Sequence, residues 1–135
     1  LLVTGWVGLE ADEEMRQADD VLIRESVNHS ELAPLLRAAI HHGGAGTTHT
    51  MLRAGVPSVI MPFIVDQPWW AKRLHAAGLG PTAVSANCRS ATRLATKISE
   101  ALSYTDAVTA ASESLRAEHG VAVALDEIEA RIQAA

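Results

Sequence analysis

The residues best suited to chemistry lie in one run, Ala39-Ile40-His41-His42-Gly43-Gly44-Ala45-Gly46-Thr47-Thr48. Gly43, Gly44 and Gly46 permit positive φ and close backbone approach, which lets the chain turn sharply and present its amides. Thr47 and Thr48 add hydroxyl donors. The helical pattern that follows offers unpaired N–H groups and the positive end of a helix dipole. A histidine there is held towards its neutral form, and a neutral imidazole N–H still donates to an oxyanion. Together these residues describe an anion-gripping turn at a strand-to-helix junction. Glycines alone would serve a packing turn equally well; the paired histidines and threonines favour the anion.

A second candidate is Asp66-Gln67, at the end of the apolar run 57–62. A carboxylate beside an amide supplies acceptors and donors at once, which suits the hydroxyls of a sugar. Asp66 equally suits the N-cap of a helix with Pro68 in its first turn. Trp69 and Trp70 follow on that helix, one expected to pack inward and the other to face the rim.

Other chemistries fit less well. A Walker-type loop needs a lysine in the turn, and a dinucleotide fingerprint needs G-x-G-x-x-G; both are absent. Six histidines raise the question of a metal. His41 and His42 are adjacent on a strand and so point to opposite faces, which makes them poor co-ligands. There is no H-E-x-x-H and no Asp-x-Asp. Neither a metal nor a cofactor is expected.

The elements that position these residues alternate. Short β runs are expected at Leu1–Thr4, Val21–Arg24, Ala38–His41 and Pro57–Pro62, with a short edge strand at Pro81–Ser85. Residues 10–17 suit a weak helix or, given their acidic excess, an exposed and partly irregular excursion; helices are expected over 31–36 capped by Ser30, 47–54 stopped by Gly55, 67–77 stopped by Gly78, and 90–103. Two Ala-rich helical runs, 105–118 and 121–133, follow, broken near Gly120. This order implies a parallel sheet with helices on both faces and right-handed crossovers. Ligands of such sheets sit beyond the carboxyl ends of the strands. The turns at Gly5–Gly8, Glu25–Ser30, His41–Thr48 and Asp66-Gln67 all fall on that rim.

At 135 residues and 48% apolar the chain is expected to be one ordinary globular domain or part of a larger one. Its net charge of -5, without a basic cluster, argues against a nucleic-acid partner. The lone Cys88 excludes an internal disulfide, suits a reducing compartment such as the cytoplasm, and reads as a small buried or half-buried filler. No run long enough to span a membrane exists. The chain opens on Leu1-Leu2-Val3 without an initiator Met or signal-peptide layout, so a fragment of a longer protein is expected.

HHGGAGTT, LRAGVPSVIMPF and DQPWWAKRL together resemble the C-terminal donor-binding half of GT-B-fold glycosyltransferases, nearest the bacterial glycopeptide, macrolide and sterol branch. The specific part runs from about His29 to Pro81, and Gly5-Trp6-Val7-Gly8-Leu9 is similar to the family's Gly-Trp-Gly-Gly-Leu turn. The resemblance implies a Rossmann-like domain, 1–135, truncated at its N-terminal edge. It also implies a UDP- or TDP-sugar donor and inverting transfer to a hydroxyl of a lipid, sterol or natural-product aglycone. By position, His42 would contact the diphosphate, with Gly44, Ala45, Gly46, Thr47 and Thr48 giving amides and hydroxyls to it. Asp66 and Gln67 would bind the transferred sugar. Val27-Asn28-His29 matches the relatives' Val-Pro-His near the nucleobase, with Asn28 in place of proline. Thr50 stands where the plant branch has a ribose-binding Glu. The catalytic base would lie in a missing N-terminal domain. A nucleotide-sugar epimerase and a non-catalytic binding module are the rival readings.

Overall fold

The computed structural model describes residues 2–4, 13–88 and 90–134. Everything around the rim is built on β4, Ser58–Ile60, whose residues are all buried. Successive strand side chains point to opposite faces, so Val59 and Ile60 meet different neighbours. Val59 packs with Val84 and with Ala101 of α5 (Ala91–Leu102), where Leu94, Ile98 and Cys88 close in. Ile60 packs with Ala71 and Leu74 of α4 (Gln67–Ala76), alongside Leu52 and Leu79. One strand thus carries a helix on each face, the α/β layering expected of the sequence.

β3, Ala39–His41, runs parallel to β4 with His41 opposite Ile60. Parallel pairing needs a crossover, and α3 (Ala45–Ala54) supplies it. β1 (Leu2–Thr4) and β2 (Leu22–Arg24) form a second parallel pair, with the short α1 (Glu13–Gln17) between them. α3 ends at Gly55, where φ of 76° ends the helix as the sequence predicts, and Val56 N–H returns to Met51 O at 2.9 Å. From behind, α6 (Thr105–Ala117) closes the same helix end. Ser112 Oγ and Arg116 Nε both donate to Arg53 O at 2.7 Å, satisfying a carbonyl that the helix itself leaves open.

The structure corrects several boundaries. The helix expected over 31–36 starts earlier, as α2 (His29–Leu32), and passes into a 3-10 turn at Ala33–Leu35. Its cap is Asn28, not Ser30: Asn28 Oδ1 accepts Ser30 N–H at 3.0 Å and Nδ2 donates to Glu31 Oε1 at 2.8 Å. α3 begins at Ala45 rather than Thr47, which brings Gly46 inside the helix. Pro81–Ser85 forms no strand. A single bond, Val84 N–H to Ile60 O at 2.9 Å, ties it to β4, and Pro81 has no N–H with which to lengthen a ladder.

α5 is capped by Ser90, whose Oγ accepts Arg93 N–H at 3.2 Å. α7 (Gly120–Gln133) starts on Gly120 itself and is exposed along its length. The expected turn at Gly5–Leu9 lies outside the described residues. Among the described residues no helix is long and apolar enough to cross a membrane.

Candidate functional site

The turn between β3 and α3 is held open by contacts that only glycine tolerates. Gly43 has φ of 87°, and a Cβ there would lie 2.4 Å from Ile60 Cγ2 and 3.5 Å from Gln67 O. The turn therefore presses directly on β4 and on the first residue of α4, so α3 and α4 begin side by side. Gly44 is the α3 N-cap and makes no side-chain cap bond. Thr48 N–H bonds Gly44 O at 3.0 Å, which leaves the N–H groups of Ala45, Gly46 and Thr47 without an intrahelical acceptor. No acidic residue occupies that first turn, so nothing in it offsets the positive dipole end.

His42 lies over this helix end: a Cβ on Gly44 would fall 2.6 Å from His42 Nε2. The imidazole and the unpaired amides thus share one small surface. The two threonines divide. Thr47 is partly exposed, whereas Thr48 is 1% exposed and its Oγ1 has no hydrogen-bond partner. Both hydroxyls are expected to face the anion; in the structure only that of Thr47 lies near the surface, and Thr48 supports the turn from beneath.

Asp66 and Gln67 stand at the start of α4, as expected, but each is half engaged already. Asp66 occupies the N-cap position without a cap bond, and its Oδ2 accepts Trp70 Nε1–H at 2.9 Å. Gln67 is buried, and its Oε1 accepts the N–H groups of Phe63 at 2.7 Å and Ile64 at 3.1 Å. Two backbone donors on one atom identify it as the carbonyl oxygen. These bonds pin the loop ahead of α4, in which Val65 takes φ of 58° and Phe63, Ile64 and Val65 face solvent. Among the described residues, Asp66 Oδ1 and Gln67 Nε2 remain without a protein partner. One acceptor and one donor are thus left for hydroxyl groups.

Trp70 is the inner tryptophan, edge-on to His49 of α3 at 5.3 Å, while Trp69 is exposed beneath Arg73. The four-residue spacing of Asp66 and Trp70 is a signal in the sequence for their hydrogen bond, whereas the contact of Trp70 with His49 joins two helices and has no local signal.

His41, weighed in the sequence only as one of the paired histidines and a poor metal ligand, is bonded into the turn. Its Nδ1 accepts Gly43 N–H at 3.1 Å, and its Nε2 is buried without a partner. Burial first, then the neighbouring His42 and His29, push its pKa down to about 4. His29 is exposed at the start of α2, while the Asn28 side chain is spent on capping and Val27 is half-buried. Among the described residues no three histidine, cysteine or carboxylate side chains are grouped to hold a metal ion. A groove lined by Pro62, Pro68, Ala71, Lys72, His75, Thr82 and Ala83 includes none of the turn residues.

Known proteins carry the same architecture. A crystal structure of the glycotransferase of kitacinnamycin superposes with a TM-score of 0.83 at 23% identity, over 95% of this chain and 34% of that one. The glycosyltransferase SnogD from Streptomyces nogalater superposes at 0.59 with 26% identity, over 72% of this chain and 25% of that one. By sequence, a sterol 3-beta-glucosyltransferase of Arabidopsis thaliana is 45% identical over 80 residues, 59% of this chain and 12% of that protein. One from Debaryomyces hansenii is 38% identical over 119 residues, 87% of this chain and 8% of that protein. The chain therefore spans only a small part of the relatives it matches. It has the fold of the C-terminal half of a GT-B glycosyltransferase. Residues 10–134 match the family described as erythromycin biosynthesis protein CIII-like, C-terminal domain, and the chain belongs to that family.

Proposed function

We propose that the full-length protein is a glycosyltransferase that moves a sugar from a UDP- or TDP-sugar to an acceptor hydroxyl with inversion, and that residues 1–135 are its donor-binding domain. The observation that carries this reading is the contact of Gly43 with Ile60 and Gln67. It supports the reading because it brings the glycine turn directly beside a pair of side chains with an acceptor and a donor to spare.

His42 Nε2, the amides of Ala45, Gly46 and Thr47, and the Thr47 hydroxyl hold the diphosphate, with Gly44 and Thr48 shaping the turn. Asp66 Oδ1 and Gln67 Nε2 bind sugar hydroxyls. Val27, Asn28 and His29 border the nucleobase. In the reaction the acceptor oxygen bonds to the anomeric carbon while the bond from that carbon to the diphosphate breaks. The electron pair leaves with the diphosphate, and the acceptor proton passes to a base outside this chain. The amides and dipole of α3 stabilise the charge that develops on the leaving group, an electrostatic role that needs no metal. The sterol glucosyltransferases among the relatives suggest an apolar, hydroxylated acceptor such as a sterol, and the single cysteine suits a reducing compartment such as the cytoplasm.

Incubating full-length protein with UDP- and TDP-sugars and a panel of hydroxylated acceptors, followed by mass spectrometry and NMR, tests the reading. Transfer is expected; an epimerised donor, or no product at all, overturns it. By calorimetry, a Thr47→Ala, Thr48→Ala double variant should bind the nucleotide-sugar more weakly, and unchanged affinity would sink the phosphate assignment.

A further inference from the structure

We infer that His41 is a positioning residue for the anion turn, acting through the bond from Gly43 N–H to its Nδ1. The inference rests on the nucleoside-diphosphate reading of the turn and adds a residue that does not touch the ligand.

The case starts from the backbone. Gly43 sits at φ of 87° and is wedged against Ile60 Cγ2, so its conformation determines where Gly44 and the first amides of α3 point. Contact with Ile60 limits Gly43 from one side. From the other, His41 Nδ1 takes its N–H at 3.1 Å. His41 is itself fixed, because it ends β3 and is paired with Ile60 across the ladder. The ring that holds Gly43 and the strand that Gly43 presses on are therefore locked in register.

Geometry also sets the tautomer. An Nδ1 that accepts an N–H carries no proton, so the ring proton is on Nε2. That Nε2 is buried and has no acceptor among the described residues. A side chain retained only for packing would not leave a buried donor unpaired, which costs stability. A leucine would fill similar space without that penalty. The feature that leucine cannot supply is the acceptor at Nδ1, and asparagine can supply it from Oδ1.

The test uses full-length protein with His41→Leu and His41→Asn variants. It measures UDP and TDP binding by calorimetry, unfolding midpoints in urea, and the ring nitrogens of 15N-histidine-labelled, unliganded protein by NMR. His41→Leu should weaken nucleoside-diphosphate binding about tenfold or more, the loss expected when one oriented hydrogen bond goes. Its unfolding midpoint should stay near wild type, because the unpaired Nε2–H is removed together with the bond. His41→Asn should restore binding to within about threefold, as befits a kept acceptor. The unliganded wild type should show an unprotonated Nδ1 and a protonated Nε2 at His41.

A protonated Nδ1 overturns the inference whether or not nucleotide binds. Leucine binding like wild type, or asparagine losing as much as leucine, also overturns it. Wild type that binds neither nucleotide while showing the expected ring nitrogens instead refutes the nucleotide reading, and with it the ligand this residue would serve.

Discussion

The Trp70 indole donates its Nε1–H to Asp66 Oδ2 at 2.9 Å, so the carboxylate at the start of α4 is aimed by a residue one turn further along the same helix. Trp70 in turn rests edge-on against His49 of α3. The orientation of Asp66 therefore depends on the packing of two helices and not on its own rotamer preference.

Trp70→Phe keeps the apolar packing and deletes only the N–H. With Asp66 free to swing, kcat/KM for the sugar donor should fall about tenfold, the equivalent of one directed hydrogen bond. Calorimetric affinity for the bare nucleoside diphosphate should stay within about twofold, since the turn is untouched. Equal losses for both ligands would count against a sugar role for Asp66.

Gln67 does two jobs with two atoms, and substitutions can separate them. Gln67→Glu keeps an oxygen for Phe63 and Ile64 N–H but loses the amide donor. It should unfold near wild type in urea yet turn over the sugar donor poorly. Gln67→Ala removes both and leaves two backbone donors unpaired, which should cost about 2–3 kcal/mol of stability. A Glu variant with undiminished turnover would remove Gln67 Nε2 from the site.

Adjacent glycines should respond in opposite ways. Gly43→Ala puts a methyl into Ile60 at positive φ, and a loss of about 2–4 kcal/mol is expected from the backbone strain and the overlap together. Gly44→Ala meets only the end of the His42 ring at an ordinary φ, so the ring can move aside. Stability should change by less than about 1 kcal/mol, whereas diphosphate affinity should fall with the displaced imidazole. Urea unfolding and calorimetry on the pair decide this. Gly44→Ala that binds normally would exclude a role for the present His42 position.

Acid should destabilise the fold through His41. Its pKa in the folded state lies near 4 against 6.5 for the free side chain, lowered by burial and then by His42 and His29. Below pH 6.5 the unfolded chain takes up a proton that the folded chain refuses. Stability is therefore full above that pH and declines as pH falls towards 4, by at most about 3 kcal/mol. From pH 7 to pH 4 the urea midpoint of wild type should fall by more than that of His41→Asn, so the two curves separate as the pH drops. Parallel curves would show that His41 does not carry the effect.

Much of this was legible in the residues. Glycine and proline punctuation around continuous apolar runs marked β3, α3, β4 and α4, because buried parallel strands must be short and apolar and helices must stop where Gly55 and Gly78 allow. The rim placement of His42 and Asp66 followed from topology alone. What stayed hidden depended on side chains meeting across sequence. Asn28 outcompeted Ser30 as a cap because it can serve Ser30 N–H and Glu31 together. The run at 81–85 has strand composition, but with proline at its head it gains a single ladder bond. Burial of the Thr48 hydroxyl and the bond from Gly43 to His41 arise from packing that no local pattern encodes.

Gly46 lies within α3, and a Cβ built on it would find no neighbouring atom within 4 Å. Alanine there would raise helix stability by up to about 1 kcal/mol and displace nothing in the protein. On the proposed reading, that methyl would take up space beside the helix-end amides that the diphosphate needs. The fold would then forgo an available gain in stability to keep one small volume clear, and the proposed binding function would be recorded at Gly46 as a stabilising substitution that the sequence does not make.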